Sequence, residues 1–152
     1  EELVLRSRNN VLVETLPTGT MGLPATITST YHVTDVGVRL LHPSILILTK
    51  LKRWSTSYTS TWQKTVRKVA SDNNDIRYMI RWLSNNNEHI RFDDYEGKTK
   101  PELLVMLRRY YDKYADNTEL MEMLQSIMPD SWDEMLALPQ PEEESNLPPP
   151  SP

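Results

Sequence analysis

The sequence contains no cysteine, and this absence excludes several classes of site. A disulfide framework, a thiolate metal centre and a thiol nucleophile all require cysteine, so none of them can be built from these 152 residues. Glycine is also scarce, with four in the chain, and neither the G-x-x-x-x-G-K phosphate loop nor the G-x-G-x-x-G dinucleotide motif is present. No serine stands in the G-x-S-x-G turn of a hydrolase.

Long apolar runs are missing as well. No stretch approaches the ~18 apolar residues that a membrane span needs, and the chain has no charged-then-apolar leader with a small-residue cleavage site. These features predict an intracellular protein, cytoplasmic or nuclear, with no membrane partner. Because the chain begins with Glu1 instead of Met, we also expect a fragment of a longer protein or a truncated gene product.

Proline and acidic residues are concentrated at the C-terminal end. Residues 139–152 read PQPEEESNLPPPSP and contain no lysine or arginine. Such a composition cannot bury a core. The sequence therefore predicts one domain over residues 1–138 and a disordered, polyproline-like acidic tail over 139–152. The tail is a candidate ligand for a protein partner with a proline-binding module.

Hydrophobic periodicity predicts strands mainly in the N-terminal part of the chain and helices in the C-terminal part. Alternating or β-branched segments favour strands at residues 3–6, 10–16 and 36–41, with a further strand or loop at 26–33 and a short strand at 89–92. Apolar spacings of three and four predict helices at 43–54 and 61–84, and three more helices after the Thr99-Lys100-Pro101-Glu102 capping box. The predicted fold class is α+β: a small N-terminal sheet portion packed against a C-terminal helical half.

Several side chains have predicted roles within these helices. His42 precedes Pro43 and is expected to serve the start of the first helix. Thr61 is expected to cap the second helix. A kink or a break is expected in that helix at residues 71–75, because short polar side chains compete for the backbone there. Four methionines at helical spacing are expected to pack in the core: Met121, Met123, Met128 and Met135.

Charge is segregated along the chain. Outside the tail the chain has 17 basic and 18 acidic side chains, yet residues 36–71 contain seven basic residues and no acid. Lys64, Arg67 and Lys68 share one helix face because they are three and four residues apart, and Trp54, Tyr58 and Trp62 are interleaved nearby. This pattern suits phosphate contacts and base stacking. The predicted phosphate or nucleic-acid site comprises Lys50, Lys52, Arg53, Lys64, Arg67 and Lys68. The alternative is a solvated face whose charges balance the acidic second half.

Two aspartates follow this basic segment at a spacing of three. Asp72 and Asp75 would lie on the same side of a helix, where two carboxylates provide a minimum of oxygen ligands for magnesium. No third acid or histidine stands at a matching spacing. Ion pairs with Lys50 or Arg53 are therefore the preferred interpretation over a metal site.

The runs HPSILILTKLKRW and KTVRKVASDNNDIRYMIRWL give the chain a resemblance to a group of largely uncharacterised fungal proteins. These look like distant relatives of nucleotidyltransferase-fold proteins, which include abortive-infection toxin nucleotidyltransferases. In that superfamily a Lys-Leu pair on one helix precedes a basic segment and a helix with spaced aspartates. Lys50-Leu51, Arg67-Lys68, Asp72 and Asp75 occupy those places here. The resemblance covers about Val36 to Leu138, including FDDYEGKTKPELL and LQSIMPDSWDEMLAL, and implies an incomplete nucleotidyltransferase-like fold.

The chain departs from that family at the catalytic residues. Active members carry a Gly-Ser motif and an Asp-x-Asp pair that hold two metal ions and a nucleotide, and neither motif is present here. The leading hypothesis is therefore a non-catalytic binding protein that contacts nucleotide or nucleic-acid phosphates and has no cofactor.

Two alternatives remain from the sequence. One is a nucleotidyltransferase fragment, using magnesium, whose catalytic half precedes Glu1. The other is a protein–protein scaffold. If such a half is missing, its loss would leave an exposed sheet edge, which favours self-association.

Overall fold

Five α-helices pack around one apolar core in the computed structural model, which describes residues 19, 30–33, 35 and 37–139. In chain order the elements are β1 (Thr30–Val33), β2 (Val38–Leu41), α1 (Pro43–Ser57), α2 (Gln63–Asn85), a 3₁₀ turn (Phe92–Asp94), α3 (Lys100–Tyr114), α4 (Thr118–Ile127) and α5 (Pro129–Leu136). Helix α1 lies between α2 and α3, and α4 and α5 close the other side of these two helices.

The predicted α+β fold class is wrong, because the described chain is mostly helical. Its strands form one antiparallel hairpin, in which Thr30 is paired with Leu41 and Val33 with Val38. Two strands of four residues are too few to form a layer of a fold. The predicted strands at 3–6 and 10–16, like the tail at 140–152, lie outside the described residues. The β-branched pattern near residue 40 did indicate a strand, but helices form the core.

Helix α1 begins where the sequence indicates. Pro43 occupies the first turn, where its missing N–H is no loss, and His42 Nδ1 accepts a hydrogen bond from the Ser44 backbone N–H at 3.2 Å. The Ser44 hydroxyl donates to the same nitrogen at 2.6 Å. His42 therefore caps the helix, as predicted. The helix continues to Ser57, three residues beyond the predicted end at Trp54.

An aromatic cluster accounts for this extra turn. The Trp54 side chain is completely buried, stacks on Tyr58 with ring centroids 4.6 Å apart and meets the Tyr110 ring edge-on at 5.0 Å. Tyr114 lies against both Trp54 and Tyr110. Burying aromatic rings of this size and adding their mutual contacts favours continuing α1 until Tyr58 is in place.

Helix α2 is continuous for 23 residues, so the helix does not break at 71–75. The polar side chains there bond to neighbouring helices instead of to their own backbone. Asp72 accepts hydrogen bonds from Arg53 of α1, and Asn73 Oδ1 accepts one from the Tyr110 hydroxyl of α3 at 2.8 Å. The predicted cap is also wrong, because Trp62, not Thr61, is the N-cap residue, and its side chain makes no capping bond.

The remaining helices begin with the predicted signals. Thr99 and Glu102 form a complete capping box at α3, and the Asn117 side chain caps α4. Helix α5 begins at Pro129, one residue before the predicted opening at Asp130. The prediction of methionine packing is confirmed, since three of the four are buried and the fourth packs against the core: Met121, Met128, Met135 and Met123.

The predicted strand at 89–92 is wrong. Ile90 and Phe92 are buried and alternate with the more exposed His89 and Arg91, as in a strand. Their backbone, however, bonds to helices: Ile90 N–H donates to the Ile127 carbonyl of α4, and Arg91 N–H donates to the Ser44 carbonyl of α1. No described strand pairs with this segment, so the alternation fixes side-chain burial without producing a sheet.

Of the described helices, α2 alone has the length of a membrane span, and its seven charged side chains are incompatible with a bilayer interior.

The His42 cap predicts a pH-dependent stability. Burial, followed by the charge of Arg91, lowers the pKa of His42 below its ordinary 6.5, against a smaller opposing effect of Glu88. Between the lowered pKa and pH 6.5 the unfolded chain binds a proton that the folded chain does not. The stabilisation is therefore complete above pH 6.5 and is lost as the pH falls towards the folded-state pKa.

Thermal unfolding at pH 7.5 and pH 5.5 measures this loss. We expect a larger fall in Tm for the wild type than for His42→Asn, because asparagine caps a helix without titrating. Equal falls in Tm for the two proteins would contradict this role of His42.

Candidate nucleic-acid interface

A buried carboxylate joins α1 to α2. The Asp72 side chain is 1% exposed, and Arg53 holds it with two bonds, from Nε to Oδ2 at 2.6 Å and from Nη2 to Oδ1. Lys50 Nζ lies 3.6 Å from Asp72 Oδ1 and 2.8 Å from Asp75 Oδ2. Cations three residues apart on α1 thus face carboxylates three residues apart on α2. These are the ion pairs that the spacing favoured over a metal site.

This network removes two residues from the predicted phosphate site. Arg53 and Lys50 have their charges matched inside the fold, so they do not present free cations to an anion. A magnesium ion on Asp72 and Asp75 would have to displace both of them. Within the described part of the chain, no group of three or more His, Asp or Glu side chains is placed to hold a metal ion.

The other end of α2 is solvated. From Gln63 to Ser71 the helix has no buried residue. Lys64, Arg67 and Lys68 are exposed there, and none of them forms an ion pair with another described residue. The structure therefore brings these three predicted site residues together on one exposed surface.

This surface continues along the helix through residues that sequence analysis did not include. Ser71, Asn74, Tyr78 and Arg81 follow Arg67 at steps of four and three, and all four are exposed. We call the whole set the α2 outer face: Lys64, Arg67, Lys68, Ser71, Asn74, Tyr78 and Arg81. The signal that would have found Tyr78 and Arg81 is their position opposite the predicted apolar stripe of this helix.

The carboxylate on α2 that borders the outer face is Asp75, and Lys50 neutralises it at 2.8 Å. Asp72 points to α1 and is buried. The outer face thus carries four cations, Lys64, Arg67, Lys68 and Arg81, whose field is not cancelled by acids on the same helix. Over the 17 residues from Lys64 to Arg81 the helix rises about 26 Å.

The aromatic residues are arranged differently from the prediction. Trp54 and Tyr58 pack in the core cluster, so they cannot stack on a ligand. Trp62, the N-cap residue of α2, is 79% exposed, and Tyr78, near the Arg81 end of the outer face, is 67% exposed. The exposed rings that accompany the cations are therefore Trp62 and Tyr78.

Lys52 lies apart from the outer face. It is a half-buried residue of α1, and its backbone carbonyl accepts a hydrogen bond from Thr56. It forms no ion pair with any described residue. The six basic residues predicted for the site are therefore divided into three groups. Lys50 and Arg53 form ion pairs within the fold, and Lys52 lies apart from them on α1. Lys64, Arg67 and Lys68 lie together on α2.

A cavity of about 340 Å³ lies at the opposite end of α2, between the 3₁₀ turn and the start of α5. Its charged lining contains both signs, with Arg91 and Lys100 beside Asp93, Asp94 and Asp130. Lys100 pairs with Glu134 at 3.0 Å, and Arg91 lies 3.6 Å from Glu88. Glu134 and Glu88 lie outside the lining, and because the lining itself carries both signs of charge, the cavity gives no clear preference for an anionic ligand.

No protein-family model, curated protein or solved structure matches this chain. The resemblance to nucleotidyltransferase-fold proteins therefore stays a prediction.

The ion-pair network predicts unequal effects of two similar substitutions. We expect Asp72→Asn to lower the free energy of unfolding by about 2 kcal/mol, because it leaves two cations at a helix interface without their buried counter-charge. The loss is smaller than for a fully buried pair, since Lys50 and Arg53 are 22% and 30% exposed and regain water.

Asp75→Asn is the matched control. Its side chain is 48% exposed, and exposed ion pairs contribute about 1 kcal/mol or less. Urea unfolding followed by circular dichroism measures both values. Equal losses would show that Asp72 does not join the helices as described.

Proposed function

We propose that this protein binds nucleic acid by contacting its phosphates through the α2 outer face. The observation that carries the proposal is a row of four exposed cations on one helix, Lys64, Arg67, Lys68 and Arg81, whose bordering carboxylate is already neutralised. Phosphate neutralisation by lysine and arginine supplies most of the affinity of sequence-independent nucleic-acid binding.

The shape of the surface supports a polymer over a single nucleotide. Small-molecule sites are concave and bury most of their ligand, whereas the outer face is one side of an exposed helix. Its length of about 26 Å corresponds to about eight stacked nucleotides at 3.4 Å per nucleotide. A mononucleotide could contact Lys64, Arg67 and Lys68, which lie within one turn, but could not also reach Arg81.

The charge distribution of the whole chain supports the same conclusion. The protein has a net charge of −4, so attraction to a polyanion must come from a local surface. Within a Debye length of about 8 Å at physiological salt, the cations of the outer face act on a phosphate more strongly than distant carboxylates do. The contact is therefore expected to be salt-sensitive and local to α2.

Removing two of the four cations tests the proposal. For four phosphate contacts on a single strand, log K should fall with log salt with a slope of about −3. Lys64→Gln combined with Lys68→Gln should weaken binding at least about tenfold at low salt and reduce the slope by about 1.4. Fluorescence anisotropy with a labelled 20-nucleotide DNA or RNA measures both.

Lys98→Gln with Lys100→Gln is the charge-matched control. It also removes two lysines, but from the start of α3, where they pair weakly with Glu102 and Glu134. The control should bind as the wild type does. An equal loss of affinity in both double variants would show that net charge, and not the outer face, determines binding. The absence of any salt-dependent binding by the wild type would refute the proposed function.

A further inference from the structure

Two large aromatic rings are exposed to water on α2 and at its N-cap. Trp62 is 79% exposed and Tyr78 is 67% exposed, and neither makes a ring contact or a side-chain hydrogen bond with another described residue. Trp54 and Tyr110, by comparison, are completely buried in the core. The two exposed rings therefore contribute nothing visible to packing, although each leaves a large apolar area in water.

The backbone holds both rings in defined places. Trp62 begins α2: its N–H donates to Ser60 Oγ at 3.3 Å, and its carbonyl accepts from Val66 N–H at 2.8 Å. Tyr78 lies within the best-packed part of the helix, between the buried residues Ile76 and Met79. The positions of the rings are therefore fixed by the fold, while their faces remain open to a ligand.

The two rings lie along the same helix as the cations. Tyr78 is three residues from Arg81 and therefore shares its helix face, and Trp62 is the N-cap residue directly before the turn that carries Lys64. Sixteen residues of helix separate the rings by about 24 Å. Cations that contact phosphates, alternating with rings on which bases stack, are the arrangement by which proteins bind single strands without sequence preference.

We infer that the outer face binds single-stranded nucleic acid, with unpaired bases stacked on Tyr78 and Trp62. This inference rests on the proposed function and adds that the bound nucleic acid is single-stranded. In a duplex the base faces are covered by neighbouring bases, so an exposed ring gains no stacking partner there. A helix inserted in a major groove would read base edges through polar side chains, whereas the ring faces of a tyrosine and a tryptophan gain stacking energy from unpaired bases.

The experiment compares one sequence as a single strand and as a duplex, at one salt concentration. We expect the wild type to bind the 20-nucleotide single strand at least about tenfold more tightly than the duplex. Tyr78→Ala and Trp62→Ala should each weaken single-strand binding by about fivefold to a hundredfold. Because stacking involves no charge, the salt slope should stay at about −3 in both variants.

Conservative and remote variants control for indirect effects. Tyr78→Phe keeps the ring and should bind as the wild type does. Val105→Ala removes an apolar side chain of α3 that is 39% exposed and should also leave binding unchanged. Trp62 is the most exposed tryptophan of the described chain, so the strand should quench tryptophan fluorescence in the wild type but much less in Trp62→Phe.

The outcomes separate the two proposals. Equal affinity for single strand and duplex, with no loss in Tyr78→Ala or Trp62→Ala, would overturn this inference. The proposed function would survive that result if Lys64→Gln with Lys68→Gln still weakened binding. If the wild type binds neither form in a salt-dependent manner, the proposed function fails and this inference fails with it.

Discussion

The contact between Asp72 and the cations of α1 determines how the basic segment is used. A carboxylate that is 1% exposed cannot remain charged in an apolar core without a partner, and Arg53 and Lys50 are the partners that α1 supplies. Because these two cations face inward, the basic residues of the segment that remain exposed to solvent on α2 are Lys64, Arg67 and Lys68. The same contact turns Asp75 towards Lys50. Lys50 therefore neutralises the carboxylate at the border of the outer face, although it is not itself part of that face.

A second set of contacts fixes the direction in which α2 leaves the core. The cluster around Trp54 brings α1 against α3, and the Tyr110 hydroxyl reaches Asn73 of α2 at 2.8 Å. Burial raises the pKa of Tyr110, so this hydroxyl keeps its proton and remains a donor across the physiological pH range. Arg77 lies over the Tyr114 ring at 5.0 Å and adds a further contact between α2 and α3. Together these contacts hold the helix rigidly from Asp72 onward.

Local signals in the sequence predicted the helices better than the fold class. The His42-Pro43 start and the Thr99–Glu102 capping box depend on neighbouring residues alone, and both were found in the structure. The helix does not break near Asp72, because Arg53, which is distant in sequence, satisfies the carboxylate that would otherwise have competed for the backbone. The α+β prediction failed for a similar reason, since β-branched periodicity shows which residues alternate but not how many strands will pair.

Helix α2 has no buried residue before Asp72, whereas the second half is packed on two neighbours. Before Asp72 the half-buried Val69 packs against the core, but helical turns with few buried contacts are marginally stable by themselves, so the free energy of local opening is expected to rise along the helix. The turns that carry Lys64 and Arg67 belong to its weakest part, and Arg81 and Tyr78 belong to its strongest. A strand that arrived at Arg81 would meet a preformed surface, while the same strand at Lys64 would help to order the helix it binds. In the proposed complex, part of the intrinsic affinity at that end would be used to stabilise the first turns of the helix.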